Sequence, residues 1–188
     1  SFPTRRSSDL TLADVIVVNT CCFIGDAKEE SINTLLEYGE QRKTGKLKAL
    51  VAAGCLAQRY RDEILKEIPE VDAVIGTMAI DKIVFVLETV LAGKKENAFA
   101  DLKAEPFIGK DRVLTTGGHF AYLKIAEGCD KHCTYCIIPK VRGTYRSVPM
   151  EKLTEQAEWL ASQGVKELIL VAQETTLYGT DLYGEKSL

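Results

Sequence analysis

With 188 residues, 46% of them hydrophobic, the chain is long enough to bury a core in one or two domains and too apolar to be a disordered tail. No run of about eighteen apolar residues offers to cross a bilayer and the start lacks the apolar stretch of a secretory signal, so a cytoplasmic location without membrane attachment is expected. The net charge of −3 argues against a protein whose main affinity comes from neutralising many phosphates; direct nucleic-acid binding is left open only for a local basic patch.

Residues 1–10, SFPTRRSSDL, are polar and aperiodic and begin without Met; they are expected to be foreign to the fold or a disordered arm. The pattern then switches to a β-branched run over Val15–Val18, the signature of a strand buried in a parallel sheet. Asp26 with Glu29 three residues on predicts a capping box, opening a helix that buries Ile32, Leu35 and Leu36. KALVAAGC reads as the next strand, and Leu56, Tyr60, Ile64, Leu65 and Ile68 predict one helix stopped near Pro69. VDAVIGT is a third strand, followed by a helix striped by Ile80, Ile83, Val84, Leu87 and Leu91 and closed by Gly93.

Strands alternating with helices imply an α/β domain with a parallel sheet over residues 11–93. Residues 94–119 lose the pattern and read as a linker, with a short strand possible in outline around Val113. FAYLKIAE resumes as a strand, PMEKLTEQAEWLASQG is an amphipathic helix ended by Gly164, and VKELILVA is another buried strand, so that residues 120–188 begin a second α/β series. Neither series has enough strands to close a barrel, and the chain is expected to be a fragment of a larger protein.

The six cysteines are expected to serve metal or cluster binding rather than disulfides, because the patterning describes an ordinary core inside a reducing compartment. Cys129, Cys133 and Cys136 are spaced C-x3-C-x2-C on the loop that follows a strand, where β/α folds place chemistry. Zinc would want a fourth ligand, and the neighbouring His132 diverges from Cys133. A thioredoxin-like pair at Cys133 and Cys136 would leave Cys129 idle. A 4Fe–4S cluster on three thiolates keeps one iron open to a cofactor, and this reading accounts for the number of cysteines as the others do not.

C-x3-C-x2-C with the aromatic Tyr135 before the last cysteine resembles the signature of the radical S-adenosylmethionine superfamily. The flanking YLKIAEGCDKHCTYCIIPKVRGTYRS and ASQGVKELILVAQETTLYGTDLYG, with the upstream ADVIVVNTCCFIGDAKEES and AAGCLAQRY, are similar to the RimO-type methylthiotransferases from about Ala13 to Glu185. The resemblance implies an amino-terminal methylthiotransferase domain joined to the first strands of a radical-SAM (β/α) partial barrel. It further implies two 4Fe–4S clusters, S-adenosyl-L-methionine as cofactor, and an electron donor as partner. One cluster would sit on Cys129, Cys133 and Cys136, and an auxiliary one on a set that includes Cys21 and Cys55. The family's first auxiliary cysteine belongs upstream of Ala13, so the auxiliary set is expected to be incomplete here and the fragment inactive.

Further expectations come with the resemblance. Tyr135 would lie near the adenine, and Gln173 near the methionine amino group. The reaction would be methylthiolation of the β-carbon of an aspartate in small-subunit ribosomal protein twelve; AEGCD and AQETTLYG favour this over the sibling MiaB enzymes, which modify isopentenylated adenosine in transfer RNA. A non-catalytic zinc-binding module is the alternative of another class.

Cys22 stands where the family pattern NTCGF has glycine, and is expected to be a packed small residue, with a substitute ligand role as the alternative. Lys131, Lys140, Arg142 and Arg146 against Asp130 give the loop a local positive charge able to steer a carboxylate, with Arg142 the first choice. Glu127 is a candidate outer group near the cluster, and His119 and His132 are assigned no role.

Overall fold

The computed structural model describes residue 10 and residues 13–45, 47–106, 112–114 and 117–188. The expectation for residues 1–10 therefore falls, Leu10 apart, outside the described residues. The chain divides into two compact units, Ser1–Ala100 and Asp101–Leu188. Among the described residues no helix is long and apolar enough to cross a membrane.

The first unit is built on three parallel strands in the order β1 (Val15–Thr20), β2 (Ala49–Gly54) and β3 (Ala73–Ile75). Every residue of β2 is buried, as a central strand flanked on both sides and covered on both faces must be. Its Ala49, Val51 and Ala53 face Ala73, Ile75, Val86 and Val90 in one apolar cluster. Beyond β3 the sheet gains a parallel bridge between Ile75 and Ala98, with the Ala98 amide donating to the Val74 carbonyl at 3.0 Å. The first residues of the predicted linker thus lie along the sheet edge.

Helix α1 (Gly25–Lys43) follows β1, but not as predicted. The residue before it is Ile24, no side chain caps it, and Asp26 lies inside its first turn, so the capping box is absent. Its buried residues are Ser31, Leu35 and Gly39, whereas Leu36 is exposed. Ser31 Oγ accepts from the Cys21 amide just past β1 and Gly39 lies against the Glu70 side chain, contacts that an apolar stripe does not reveal.

The single helix expected after β2 is two, α2 (Cys55–Tyr60) and α3 (Asp62–Glu67), broken at Arg61 with φ +39°. The guanidinium of Arg61 lies 4.8 Å from the centre of the Phe99 ring. After β3 a 3-10 turn over Ile80–Lys82, with Ile80 exposed, leads into α4 (Ile83–Leu91), which buries Val86, Leu87 and Val90 and exposes Val84 and Leu91. Of the predicted stripe, Leu87 alone is fully inside.

In the second unit β4 (Phe120–Lys124) pairs in parallel with β7 (Glu167–Val171), the two joined through α6 (Met150–Ser162). Between them lies a two-residue antiparallel ladder, β5 (Ala126–Glu127) with β6 (Arg146–Ser147), and the short helix α5 (Ile138–Arg142). Leu123, Ile125, Val148, Leu153 and Tyr178 form one apolar cluster, and Ala121, Leu160 and Val165 another. Strand β7 is not the buried strand expected: Leu168 and Leu170 are exposed, because among the described residues α6 packs over β4 and leaves the same face of β7 open. Val113 is exposed and lies in no strand.

Candidate cluster-binding site

The C-x3-C-x2-C loop leaves β5 at Glu127 and runs to α5. Gly128 sits at φ +81°, and a Cβ there would lie 2.0 Å from the Thr144 carbonyl oxygen, so only glycine allows the loop to pass this close to the returning strand. The Cys129 amide donates to the Gly143 carbonyl at 3.2 Å and the Tyr145 amide donates to Asp130 Oδ1 at 3.0 Å, extending the β5–β6 ladder irregularly. His132 turns the chain at φ +46°, and the Cys136 amide closes a turn on the Cys133 carbonyl at 2.9 Å. Cys133 is exposed, while Cys129 and Cys136 are half-buried.

The segment after β7 holds this loop from the other side. Gln173 Oε1 accepts from the Gly128 amide at 2.9 Å, and Glu174 forms an ion pair with Lys131. Hydrogen bonding to Lys131, then to Thr176, holds the Glu174 carboxyl down at about 2, while Glu174 and secondarily the Cys129 and Cys133 sulfurs push Lys131 up. Glu174 also accepts from the Thr176 amide at 3.1 Å, which fixes it as the cap of a short turn.

Glu127 is completely buried, and its carboxylate is shared between Lys124 and Arg142, with Arg142 Nη1 donating at 3.2 Å and 3.3 Å to its two oxygens. Arg142 is therefore engaged with Glu127, not offered to an incoming carboxylate as the charge pattern suggested. Arg146 is likewise engaged, donating to the carbonyls of Ala104 at 2.9 Å and Arg142 at 3.1 Å. Of the basic residues in the predicted patch, Lys131 and Lys140 are exposed. Tyr135 is 86% exposed on the loop beside Cys136, and Gln173 is half-buried. Lys131, Glu174 and the Gln173–Gly128 bond were not singled out as struts from the sequence; the polar pair Gln173–Glu174 at a strand end was the available signal.

In the first unit the register pairs Thr20 with Gly54, so Cys21 and Cys55 leave neighbouring parallel strands side by side. The Thr20 hydroxyl donates to the Ala53 carbonyl at 2.6 Å and accepts from the Ala57 amide at 3.3 Å, tying the two strand ends and α2 together. Ser31 Oγ accepts from the Cys21 amide at 2.9 Å. Gly54, at φ +99°, would bring a Cβ within 2.7 Å of Asn19 Oδ1 and of the Thr20 carbonyl oxygen. Cys21 and Cys55 are half-buried; Cys22 is buried at 4% exposure, its thiol pushed up by burial and by the neighbouring Cys55.

None of the six cysteines is joined in a disulfide. Among the described residues no three Cys, His, Asp or Glu side chains converge on a single metal ion. In a cluster each thiolate takes its own iron, so the ligands need not converge, and three soft donors on one accessible loop fit a 4Fe–4S cluster in donor type, number and access. Cys21 and Cys55 fit two ligands of a second one.

Residues 4–76 match the Uncharacterized protein family UPF0004, and residues 123–186 match the Radical SAM superfamily. The chain is 62% identical over 182 residues to the ribosomal protein uS12 methylthiotransferase RimO of Lachnoclostridium phytofermentans, covering 97% of this chain and 41% of that protein. It is 52% identical over 189 residues to the protein of the same name from Acetivibrio thermocellus, covering 97% and 42%. With the Clostridium botulinum protein of that name it shares 51% over 177 residues, 94% and 40% of the two chains. The chain thus spans about two fifths of the length of these relatives. The matching families imply iron–sulfur and S-adenosylmethionine chemistry.

Proposed function

Because this chain belongs to the RimO family of ribosomal protein uS12 methylthiotransferases, we propose that it is part of a cytoplasmic enzyme that methylthiolates the β-carbon of an aspartate in uS12. The observation that carries the reading is the loop of three free cysteines at the C-terminal end of a strand, inside the Radical SAM match and joined to a UPF0004 unit that presents Cys21 and Cys55. Bound at these two places, 4Fe–4S clusters, with S-adenosyl-L-methionine and an electron from a donor protein, supply the radical that removes hydrogen from an unactivated carbon and the sulfur that replaces it.

The chain's own residues hold and orient. Cys129, Cys133 and Cys136 would each hold one iron of a 4Fe–4S cluster and leave its remaining iron to the cofactor. Tyr135, exposed beside Cys136, would lie against the flat base of the cofactor. Gln173 Oε1, which accepts from the Gly128 amide, keeps a second lone pair that would accept from the methionine amino group. Glu127, paired with Lys124 and Arg142, fixes the base of the loop. Lys131 and Arg142 are consumed in ion pairs, so the loop offers little of the phosphate-binding charge a transfer RNA would require, and a protein substrate is favoured.

The test offers a full-length enzyme carrying this sequence both uS12 and prenylated transfer RNA, with mass spectrometry for the added methylthio group. Modification of uS12 at an aspartate is expected; modification of the RNA alone would overturn the assignment.

A further inference from the structure

The cysteine loop is anchored unevenly. Its first four residues are held from two directions. On one side, the Cys129 amide and the Asp130 carboxylate bond to the Gly143–Tyr145 segment. On the other, Gln173 and Glu174 reach the Gly128 amide and Lys131. Immediately after Lys131 comes His132 at φ +46°, a conformation that side chains other than glycine disfavour. From there to Cys136 the bond that orders the backbone is the loop's own turn at Cys133.

We propose that Gln173 and Glu174 are positioning residues, a two-pronged clamp from the end of β7 that fixes the loop in the shape in which its thiols take up and keep the cluster. The physical reason is preorganisation. Thiols on an unheld loop must lose their conformational freedom at the moment of cluster binding, whereas a loop already fixed on both sides of Cys129 has less to lose. The Glu174–Lys131 prong carries this furthest: it closes the loop at the residue preceding the disfavoured turn, and its carboxylate is itself held by the Thr176 amide and hydroxyl. The proposal rests on the reading that this loop holds a cluster, and extends it to residues outside the cysteine motif.

The experiment uses the full chain. Glu174→Gln, Lys131→Gln and the double variant are reconstituted anaerobically with ferrous iron and sulfide, and loss of the visible absorption to an iron chelator is timed. In parallel, amide exchange over residues 128–136 is followed on the metal-free proteins. Each single variant is expected to lose its cluster several-fold faster and to exchange faster within the loop alone, and the double variant no faster than the singles, because both remove the same pair. Unchanged loss and exchange in the singles, or effects that add in the double, would overturn the clamp. If the unsubstituted chain took up no cluster, the functional reading would fall, while the exchange comparison would still decide whether the clamp orders the loop. Should Glu174→Gln not fold, Lys131→Gln, at an exposed side chain, carries the same comparison.

Discussion

Glu127 is a carboxylate with 0% exposure beside the proposed cluster loop, and a buried charge is tolerated only when paired. Two cations share it, Lys124 and the partly buried Arg142. Removing Arg142 leaves the charge with one partner at the rim, so Arg142→Ala is expected to cost about 2 to 3 kcal/mol, below the usual cost of breaking a buried pair because Lys124 stays. Lys140→Ala, two residues away on the exposed side, is expected to change stability by no more than about 0.5 kcal/mol. Urea unfolding of the two variants separates the cases, and equal midpoints would show that Lys124 alone satisfies Glu127. The same comparison bears on the charge pattern of the loop: the sequence shows four cations near the cysteines, and the fold engages Lys131, Arg142 and Arg146 with particular acceptors.

At the level of elements, β4 and β7 pair Leu123 with Leu170, and in a parallel ladder such partners project to the same side. Their environments nevertheless differ, since Leu123 is 4% exposed within an apolar cluster and Leu170 is 41% exposed. Leu123→Ala is expected to cost about 2 to 5 kcal/mol and Leu170→Ala less than about 1 kcal/mol in this chain, read from denaturation midpoints. A large loss at Leu170 would mean that the open face of β7 is covered in solution. This pair shows what periodicity could and could not reveal. The apolar runs at Val15–Val18, over Ala49–Gly54 and before the cysteine loop were legible as strands, because a run that short, bounded by turn residues, fits little else. Burial was less legible, because it depends on which helix covers which strand. In α4 nearly every residue is apolar, so no stripe in the sequence selects the face that Val86, Leu87 and Val90 bury. In α1 two of the three buried positions are Ser31 and Gly39, which no hydrophobicity pattern marks. The cysteines of the site were legible from spacing; the Gln173 and Glu174 struts join residues more than forty positions apart and could be found only in three dimensions.

For the molecule as a whole, each of the two compact units places cysteines just past the end of a parallel strand: Cys21 and Cys55 after β1 and β2, and Cys129, Cys133 and Cys136 after β4 and the short β5. Each unit also has its own apolar clusters. Loss of a thiol in one unit should therefore leave the core and the thiols of the other intact, which allows the two steps of the proposed reaction to be separated by substitution. In a full-length enzyme carrying this sequence, Cys133→Ala is expected to abolish formation of 5'-deoxyadenosine from S-adenosylmethionine, because the open-iron site loses a ligand. Cys55→Ala is expected to retain that cleavage in part while forming no methylthiolated product, because it touches only the first unit. Chromatography of the nucleoside product and mass spectrometry of uS12 read the two steps independently. Equal loss of cleavage in both variants would contradict the division, and would require Cys55 to act in generating the radical as well as in delivering sulfur.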